Sequence, residues 1–191
     1  MDKYYSFVFK GLLTEEALDK AGRKNIALIS QLENVDLEKR LCIDQVEESI
    51  LIKARNMSLV FVAIYSFENT VREFVEKKLL EEIGVNWWSE ALPDSIQKKA
   101  IARKDEEEKI KWHTQRGESM IQYVDFGDLA SIINKQWDLF EPHLNSFEWV
   151  NQLFKSMERS RNVIMHSGYL SKTDIERVGS LIRDWYSQTN I

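Results

Sequence analysis

An arginine and a histidine near the end of a predicted helix form the strongest chemical motif of this chain. Arg161 is followed directly by Asn162, and His166 comes five residues after the arginine. A guanidinium is a permanent cation, whereas an imidazole titrates near neutral pH. Asn162 and His166 are four residues apart and share one helical face, and the long Arg161 side chain can reach toward the same pocket. We therefore predict that these three residues form a catalytic set.

Such a set suits the cleavage of RNA without a metal ion. The RNA 2′-hydroxyl needs a base before it attacks the neighbouring phosphate, and the leaving 5′-oxygen needs an acid. An imidazole can act as either. An arginine can hold the non-bridging oxygens and stabilise the charge of the transition state, and an asparagine can orient the imidazole or the phosphate. Arg159 and Lys155, on the same predicted helix, are candidate RNA contacts.

A structural interpretation of the same residues stays open. Arg161 extends the apolar stripe that contains Phe154 and Met157, and a charged group there costs stability unless it is paired or has a function. The looser pattern of an arginine followed by a histidine is common by chance, and Arg159 fits it as well. The alternative is therefore an arginine and a histidine that are satisfied within the protein and do no chemistry.

A second polar group interrupts the longest apolar helix pattern. It contains Glu68, Asn69 and Arg72, and the spacing of four between Glu68 and Arg72 allows an ion pair. The simplest interpretation is an internal ion pair that locks two helices together. The alternatives are a direct catalytic role and, between the two, a supporting role in which this group holds Arg161 or His166 in position.

Other kinds of site are disfavoured by the residues present. The three histidines form neither an HExxH nor a His-x-x-x-His pair, and the single cysteine, Cys42, excludes both an intrachain disulfide and a cysteine-rich zinc site. The sequence contains no glycine-rich phosphate loop and no GxSxG string. We therefore expect no metal and no cofactor.

Charge and hydropathy indicate which kinds of partner and which cellular compartment to expect for this protein. The net charge of −5 disfavours a general nucleic-acid coat, although residues 151–191 hold six basic and four acidic residues. The N-terminus lacks the pattern of a signal peptide, and Ser66 and Glu68 interrupt the longest apolar run, which argues against a membrane span. We expect a cytoplasmic protein with no membrane partner.

Periodic apolar residues predict an all-α chain built around one long helix. Apolar residues recur at steps of three or four over 56–83, and Gly84 then favours a helix end. With 191 residues but only seven Gly and two Pro, the chain is poorly suited to a many-turned β-sandwich. The other helices are predicted from 94 to about 111, from 125 or 128 to 142, from 146 to 168 and from 173 onward, with a loop over 84–95.

The N-terminal segment is predicted to be a separate arm. Alternating aromatic residues at 5, 7 and 9 fit a short strand or a docked arm, one helix is predicted to begin at Thr14, and a second is predicted from Asp36 through Ile50. The predicted division is an arm, 1–50, whose extra helices pack on the bundle, and a helical domain, 51–191. The arm is also a candidate cover for the cleft or an extension of a dimer contact.

These motifs together resemble the HEPN superfamily (higher eukaryotes and prokaryotes nucleotide-binding). The string Arg161-Asn162-x-x-x-His166 near the end of the penultimate helix carries the resemblance. The segments 68–72, 87–88 and 125–129 resemble the branch named after a yeast RNA-surveillance endoribonuclease. The resemblance covers about residues 55–187 and implies a HEPN-like bundle of four or five helices, here with an additional N-terminal helical arm.

The resemblance also implies a function. Many HEPN domains are metal-independent endoribonucleases of toxin–antitoxin, antiviral defence and RNA-processing systems, and active members pair two domains so that both motifs line one cleft. Carried over, Arg161 and His166 are the catalytic pair and Asn162 is the polar residue that follows the arginine. We therefore predict a homodimeric ribonuclease, a hydrolase-type nuclease that binds RNA and acts as a toxin or phage-defence effector. An antitoxin or another regulatory protein is a candidate partner. The alternative is a non-catalytic HEPN module that binds RNA or nucleotides, or that dimerises.

Overall fold

The computed structural model describes residues 36–189 and, before them, residues 10, 11, 13, 14, 17, 18 and 20. These residues form helices, turns and loops, and no strand occurs among them, which confirms the predicted all-α class. The chain divides into two compact units, Met1–Ile52 and Lys53–Ile191. The packing of the N-terminal arm on the bundle stays a prediction.

The first helical segment of the first unit begins earlier than predicted. Lys10 is already helical, and the Thr14 hydroxyl donates to the Lys10 carbonyl at 2.9 Å. Thr14 therefore lies within a helix, and the prediction that the helix begins there is wrong. The predicted strand at residues 5–9 lies outside the described residues.

The predicted single helix from Asp36 through Ile50 is also wrong. Residues 36–40 are helical, and Asp36 pairs with Arg40 at 2.7 Å. The chain then turns at Cys42, whose φ of 54° is left-handed, and continues into a 3-10 turn, Ile43–Gln45. Apolar spacing carries no signal for such a turn, because a left-handed residue leaves the hydrophobic pattern on either side intact.

Helix α1, Glu48–Ile83, is the long helix that the sequence predicts, and it begins eight residues earlier than expected. It ends where Gly84 adopts a φ of 89°, which glycine tolerates because it has no Cβ. One face of α1 enters the core of the second unit at steps of three or four residues, through Met57, Val60, Ile64, Phe67, Val71, Phe74, Val75 and Leu79.

By length and composition, α1 is also apolar enough to cross a membrane. An 18-residue window of this helix has a mean hydropathy of 1.4, and 22% of that window is buried. The interruption at Ser66 and Glu68 therefore argues only weakly against a membrane span. One such helix is weak evidence for a membrane span, because core helices of soluble proteins pass the same test.

The second unit continues with six more helices among its described residues. They are α2, Trp87–Ala91; α3, Asp94–Glu108; α4, Phe126–Lys135; α5, Trp137–Phe140; α6, Phe147–Met165; and α7, Lys172–Thr189. A 3-10 turn, Met120–Tyr123, lies between α3 and α4. Helix α4 packs against α6, and α6 packs against α7.

Several predicted boundaries change. Helix α2 occupies part of the predicted loop, and the single helix expected up to Pro142 is broken at Gln136, where φ is −112° and ψ is 33°. Ser146 caps α6 as predicted, because its hydroxyl accepts the Trp149 backbone N–H at 3.1 Å. Helix α7 begins at Lys172, where Ser171 accepts the Asp174 N–H, one residue earlier than the predicted start at Thr173.

An aromatic cluster around Trp185 holds the bundle together. This indole is fully buried, with its ring centroid 5.8 Å from that of Phe67, 5.6 Å from that of Phe74 and 5.6 Å from that of Phe154. Edge and tilted contacts of this kind add to the free energy of burying the rings. The cluster joins α1, α6 and α7, the helices that carry the residues of interest.

Candidate functional site

A cleft of about 610 Å³ opens in the second unit between α1, the segments before α4 and the end of α6. Three arginines and two carboxylates lie in its wall, so the cleft carries a small excess of positive charge on an otherwise acidic chain. The lining residues are Phe61, Ile64, Tyr65, Glu68, Asn69, Arg72, Arg116, Gln122, Asp125, Arg161, Ile164 and Met165.

Glu68 joins two arginines at the floor of this cleft. One carboxylate oxygen accepts a hydrogen bond from Arg72 Nη2 at 2.5 Å, and the other lies 3.4 Å from Arg161 Nε. The Glu68 and Arg72 side chains are only 10% and 14% exposed, whereas the Arg161 side chain is 42% exposed. The buried pair therefore forms as its spacing predicts, and Arg161 reaches from it into solvent.

Arg72 also ties α1 to the segment that precedes α4. Its Nη2 donates to the Val124 carbonyl at 3.1 Å. On the other side, Arg103 of α3 donates to the Tyr123 carbonyl at 2.7 Å and to the Asp125 carboxylate. Two arginines from different helices thus hold residues 123–125, and the Asp125 carboxylate is placed in the cleft wall.

Asn69 lines the cleft, but its amide nitrogen is engaged. It donates to the Tyr65 carbonyl at 2.9 Å, one turn earlier in α1. The structure therefore brings Glu68, Asn69, Arg72 and Arg161 to one site, with Asn69 partly occupied by its own helix.

The end of α6 is shaped by a tight reversal of the chain. His166 follows the last helical residue, Ser167 takes a left-handed φ of 59°, and the Gly168 N–H donates to the Val163 carbonyl at 2.7 Å. A Cβ at Gly168 would lie 2.7 Å from that same carbonyl oxygen, so only glycine fits without movement. His166 is exposed, and its ring has no hydrogen-bond partner within the described part of the chain.

Arg161 and His166 leave α6 in different directions. At 3.6 residues per turn, five residues correspond to a rotation of roughly 140°. Arg161 shares its side of the helix with Ile164 and Met165, which also line the cleft. His166 and Asn162 are exposed and do not appear among the lining residues.

The second group of predicted residues forms what we term the outer face of α6. Lys155, Arg159, Asn162 and His166 are spaced by four, three and four, and all four are exposed. The structure therefore places Arg161 at the cleft and the other predicted residues of this helix on the neighbouring outer face. The catalytic assignment of these residues stays a prediction.

Sequence reasoning missed three polar residues of the cleft. Asp125 enters the sequence analysis only as a predicted helix start and as part of the segment 125–129, whereas Arg116 and Gln122 belong to no motif. The available signal for Arg116 is weak: it ends a segment, 109–116, that contains basic and aromatic residues and no acid.

The described residues contain no group of three or more His, Cys, Asp or Glu that could hold a metal ion. Arginine, the most frequent polar residue of the cleft lining, is permanently protonated and has no lone pair with which to bind a divalent cation. The arrangement is suited to binding an anion, with Arg161 as an accessible cation and Glu68 as the group that holds it in place.

Comparison with known protein families gives a match within the second unit. The family model described as Swt1-like HEPN matches residues 63–190, more than half of the chain. The chain belongs to the Swt1-like HEPN family. This confirms both the predicted HEPN resemblance and the helical bundle that it implies.

No curated protein and no solved structure matches the chain significantly. Membership of the HEPN family supports a ribonuclease or a nucleotide-binding module, and HEPN domains often bind RNA or dimerise.

Proposed function

We propose that this HEPN domain is a metal-independent endoribonuclease. The observation that carries the proposal is the state of Arg161, which is 42% exposed in a cleft with three arginines and is oriented by the buried Glu68. An accessible guanidinium held by a carboxylate is prepared to bind a phosphate, because its direction is set before the substrate arrives.

In this proposal Arg161 binds the scissile phosphate and Glu68, with Arg72 behind it, positions Arg161. The 2′-hydroxyl oxygen attacks phosphorus, the bond from phosphorus to the 5′-oxygen breaks, and the products are a 2′,3′-cyclic phosphate and a 5′-hydroxyl. His166 takes the proton from the 2′-hydroxyl or gives one to the leaving oxygen, and Asn162 orients the ring or the phosphate.

In this proposal a homodimer brings an acid or base close to Arg161. His166 lies on the outer face of α6 and not in the cleft, so the cleft of one protomer needs an acid–base group from the second protomer. Helix α1 offers an apolar contact surface beside the cleft, because Leu59 is 73% exposed, Val62 58% and Tyr65 60%, and Tyr65 also lines the cleft. Sedimentation equilibrium of Val62→Glu tests the contact: a dimer in the wild type and a monomer in the variant are expected.

For biology, we propose a cytoplasmic toxin or defence effector that is regulated by an antitoxin or another protein. The support is the HEPN family itself, whose members serve such systems. Expression of the wild-type chain is then expected to arrest growth of a bacterial host, and expression of His166→Ala is expected not to. Equal growth with both chains would contradict a toxin role.

The chemistry is tested by RNA cleavage in the presence of EDTA. The wild type is expected to cleave with chelator present, and His166→Ala and Arg161→Gln are expected to lose at least a hundredfold in rate, since each removes a group that acts in the transition state. Arg183→Gln is the matched control, because Arg183 is an exposed arginine of α7 away from the cleft lining. Activity that needs a metal, or that survives His166→Ala, contradicts the mechanism.

A specific observation favours a second candidate function, RNA or nucleotide binding without cleavage. Glu68 already neutralises part of the Arg161 charge, and His166 is not among the residues that line the cleft. Intact RNA after long incubation, together with a mobility shift at low salt that Arg161→Gln abolishes, would support the binding module over the nuclease.

A further inference from the structure

The loop between α3 and the 3-10 turn carries an exposed aromatic side chain that the bundle does not use. Trp112 is 86% exposed, whereas the Trp87 and Trp185 indoles are buried. Placing a whole indole in water forgoes the free energy that its burial would give, so this side chain adds nothing to the stability of the bundle.

The residues around Trp112 are cationic. The segment 109–116 reads Lys-Ile-Lys-Trp-His-Thr-Gln-Arg and contains three formal positive charges and no acidic residue. An aromatic surface among cations is complementary to a ligand that is both planar and anionic. A nucleotide strand has this chemistry, because its bases stack on aromatic rings while its phosphates contact lysines and arginines.

This loop is continuous with the candidate site. A shallow cavity of about 420 Å³ lies along it, and Arg116 lines both this cavity and the main cleft. The residues of the shallow cavity are Glu107, Ile110, Trp112, His113, Thr114, Gln115 and Arg116. A strand that rests on the loop therefore has a direct path to Arg161 by way of Arg116.

The loop is also held in shape before any ligand binds. The Glu107 carboxylate accepts the Arg116 backbone N–H at 3.0 Å and lies 2.5 Å from Arg116 Nε. The His113 N–H donates to the Ile110 carbonyl at 3.1 Å, and His113 Nδ1 donates to the Thr114 carbonyl at 2.8 Å. Preorganisation of this kind reduces the entropy lost on binding.

We propose that the loop 109–116 binds an unpaired base of single-stranded RNA. Trp112 is the stacking platform, Lys109 and Lys111 contact the flanking phosphates, and Arg116 leads the strand into the cleft. The identity of the ligand as RNA rests on the proposed function, whereas the stacking site itself is tested without any cleavage.

Four consecutive acidic residues, 105–108, precede the loop and limit the size of this site. Of these four carboxylates, Glu107 is paired with Arg116, and Glu108 lies 4.0 Å from Lys104. Asp105 and Glu106 are exposed and repel phosphates. Contact is therefore confined to the few nucleotides that the loop itself can reach, and the strand does not extend along α3.

The experiment measures binding of a short fluorescent 2′-O-methyl RNA to the full chain by anisotropy. This probe lacks the 2′-hydroxyl that would attack the phosphate, so it cannot be cleaved by the proposed route. Trp112→Ala is expected to weaken binding about tenfold, from the usual strength of stacking of a base on an aromatic ring, and Trp112→Phe is expected to retain most of the affinity. A blunt duplex is expected to bind more weakly and to be insensitive to both changes.

Two matched controls separate the loop from general surface effects. Val85→Ala removes another apolar side chain that is 87% exposed, and Lys98→Gln removes an exposed charge of α3. Both are expected to bind as the wild type does, whereas Lys111→Gln is expected to weaken binding roughly threefold and to reduce its salt dependence.

Wild-type affinity in Trp112→Ala overturns the inference, as does a wild-type chain that binds no oligonucleotide or a duplex that binds as well as the single strand. The two proposals fail separately. Binding through Trp112 by a chain that leaves ordinary RNA intact retains this site and removes the nuclease, whereas cleavage that is unaffected by Trp112→Ala retains the nuclease and removes this site.

Discussion

The two sides of helix α6 differ in how firmly the protein holds their polar groups. On the cleft side, Arg161 is tied to Glu68, which is tied in turn to Arg72 and through it to the Val124 carbonyl. On the outer face, Asn162 and His166 are exposed, and no ion pair or side-chain hydrogen bond holds them within the described residues. In the proposed mechanism, the group that binds phosphate is therefore held by the fold, whereas the acid–base group takes its position only when a substrate or a second protomer binds.

The largest effect in this comparison is expected from the tied side. Glu68→Ala leaves the buried Arg72 without its carboxylate, and loss of one partner of a buried pair costs about 3 kcal/mol. Urea denaturation should show this loss in the free energy of unfolding. Glu73→Ala, at an exposed position of the same helix, is expected to change it by less than about 0.5 kcal/mol. Equal stability of the two variants would mean that the cleft side is held no more firmly than the outer face.

The chain reversal that carries His166 is the next most sensitive point. In Gly168→Ala the new Cβ meets the Val163 carbonyl oxygen at 2.7 Å, so the end of α6 must shift, at a cost of about 2 kcal/mol. Gly127→Ala is the matched variant, because Gly127 lies in helix α4 and a Cβ there meets no other atom within 4 Å. Its free energy of unfolding is expected to stay equal or to rise. Thermal denaturation of both variants checks this contrast, and equal melting temperatures of the two variants would contradict it.

A smaller effect is expected at the far end of the same helix. Ser146→Ala removes the hydroxyl that accepts the Trp149 N–H, and loss of such a cap costs about 1 kcal/mol. Because this cap is remote from the residues of the motif, RNA cleavage at a temperature well below melting should be unchanged. A lost activity with unchanged stability would show that the position of α6 as a whole, and not only its last turn, governs the site.

The smallest effect on stability is expected on the outer face. Arg159→Gln alters an exposed charge and should leave unfolding unchanged within about 0.5 kcal/mol. If Arg159 contacts a phosphate, the slope of log affinity against log salt should fall by about 1. Lys172→Gln, an exposed charge at the start of α7, is the control and should leave the slope unaltered. An unchanged slope in Arg159→Gln would remove the outer face from the RNA path.

Local features of this fold were predictable, because their causes lie within one helical turn. The Glu68–Arg72 pair and the Ser146 cap each depend on residues three or four apart, and the buried stripe of α1 repeats at that spacing. The superfamily was predictable as well, because the Arg161–His166 motif is contained in six consecutive residues.

Features that depend on distant residues were not predictable in the same way. The bond from Arg72 to the Val124 carbonyl spans 52 residues, and the place of Arg116 in the cleft depends on how its loop returns to the bundle. The helix break at Gln136 was not predicted for another reason, because Trp137 and Phe140 continue the apolar pattern across it. The place of His166 outside the cleft lining depends on how α6 ends, because His166 follows the last helical residue.

If the domain cleaves RNA as proposed, the double attachment of Arg116 to Glu107 has a consequence for the position of the cut. Both the main chain and the side chain of Arg116 are anchored to Glu107 of helix α3, so Arg116 keeps a fixed position relative to the end of that helix, where the loop that carries Trp112 begins. A base that stacks on Trp112 then sets the position of the RNA strand relative to Arg116. Fragments mapped at nucleotide resolution should begin at one unvarying offset from a looped-out base, whatever the sequence between them.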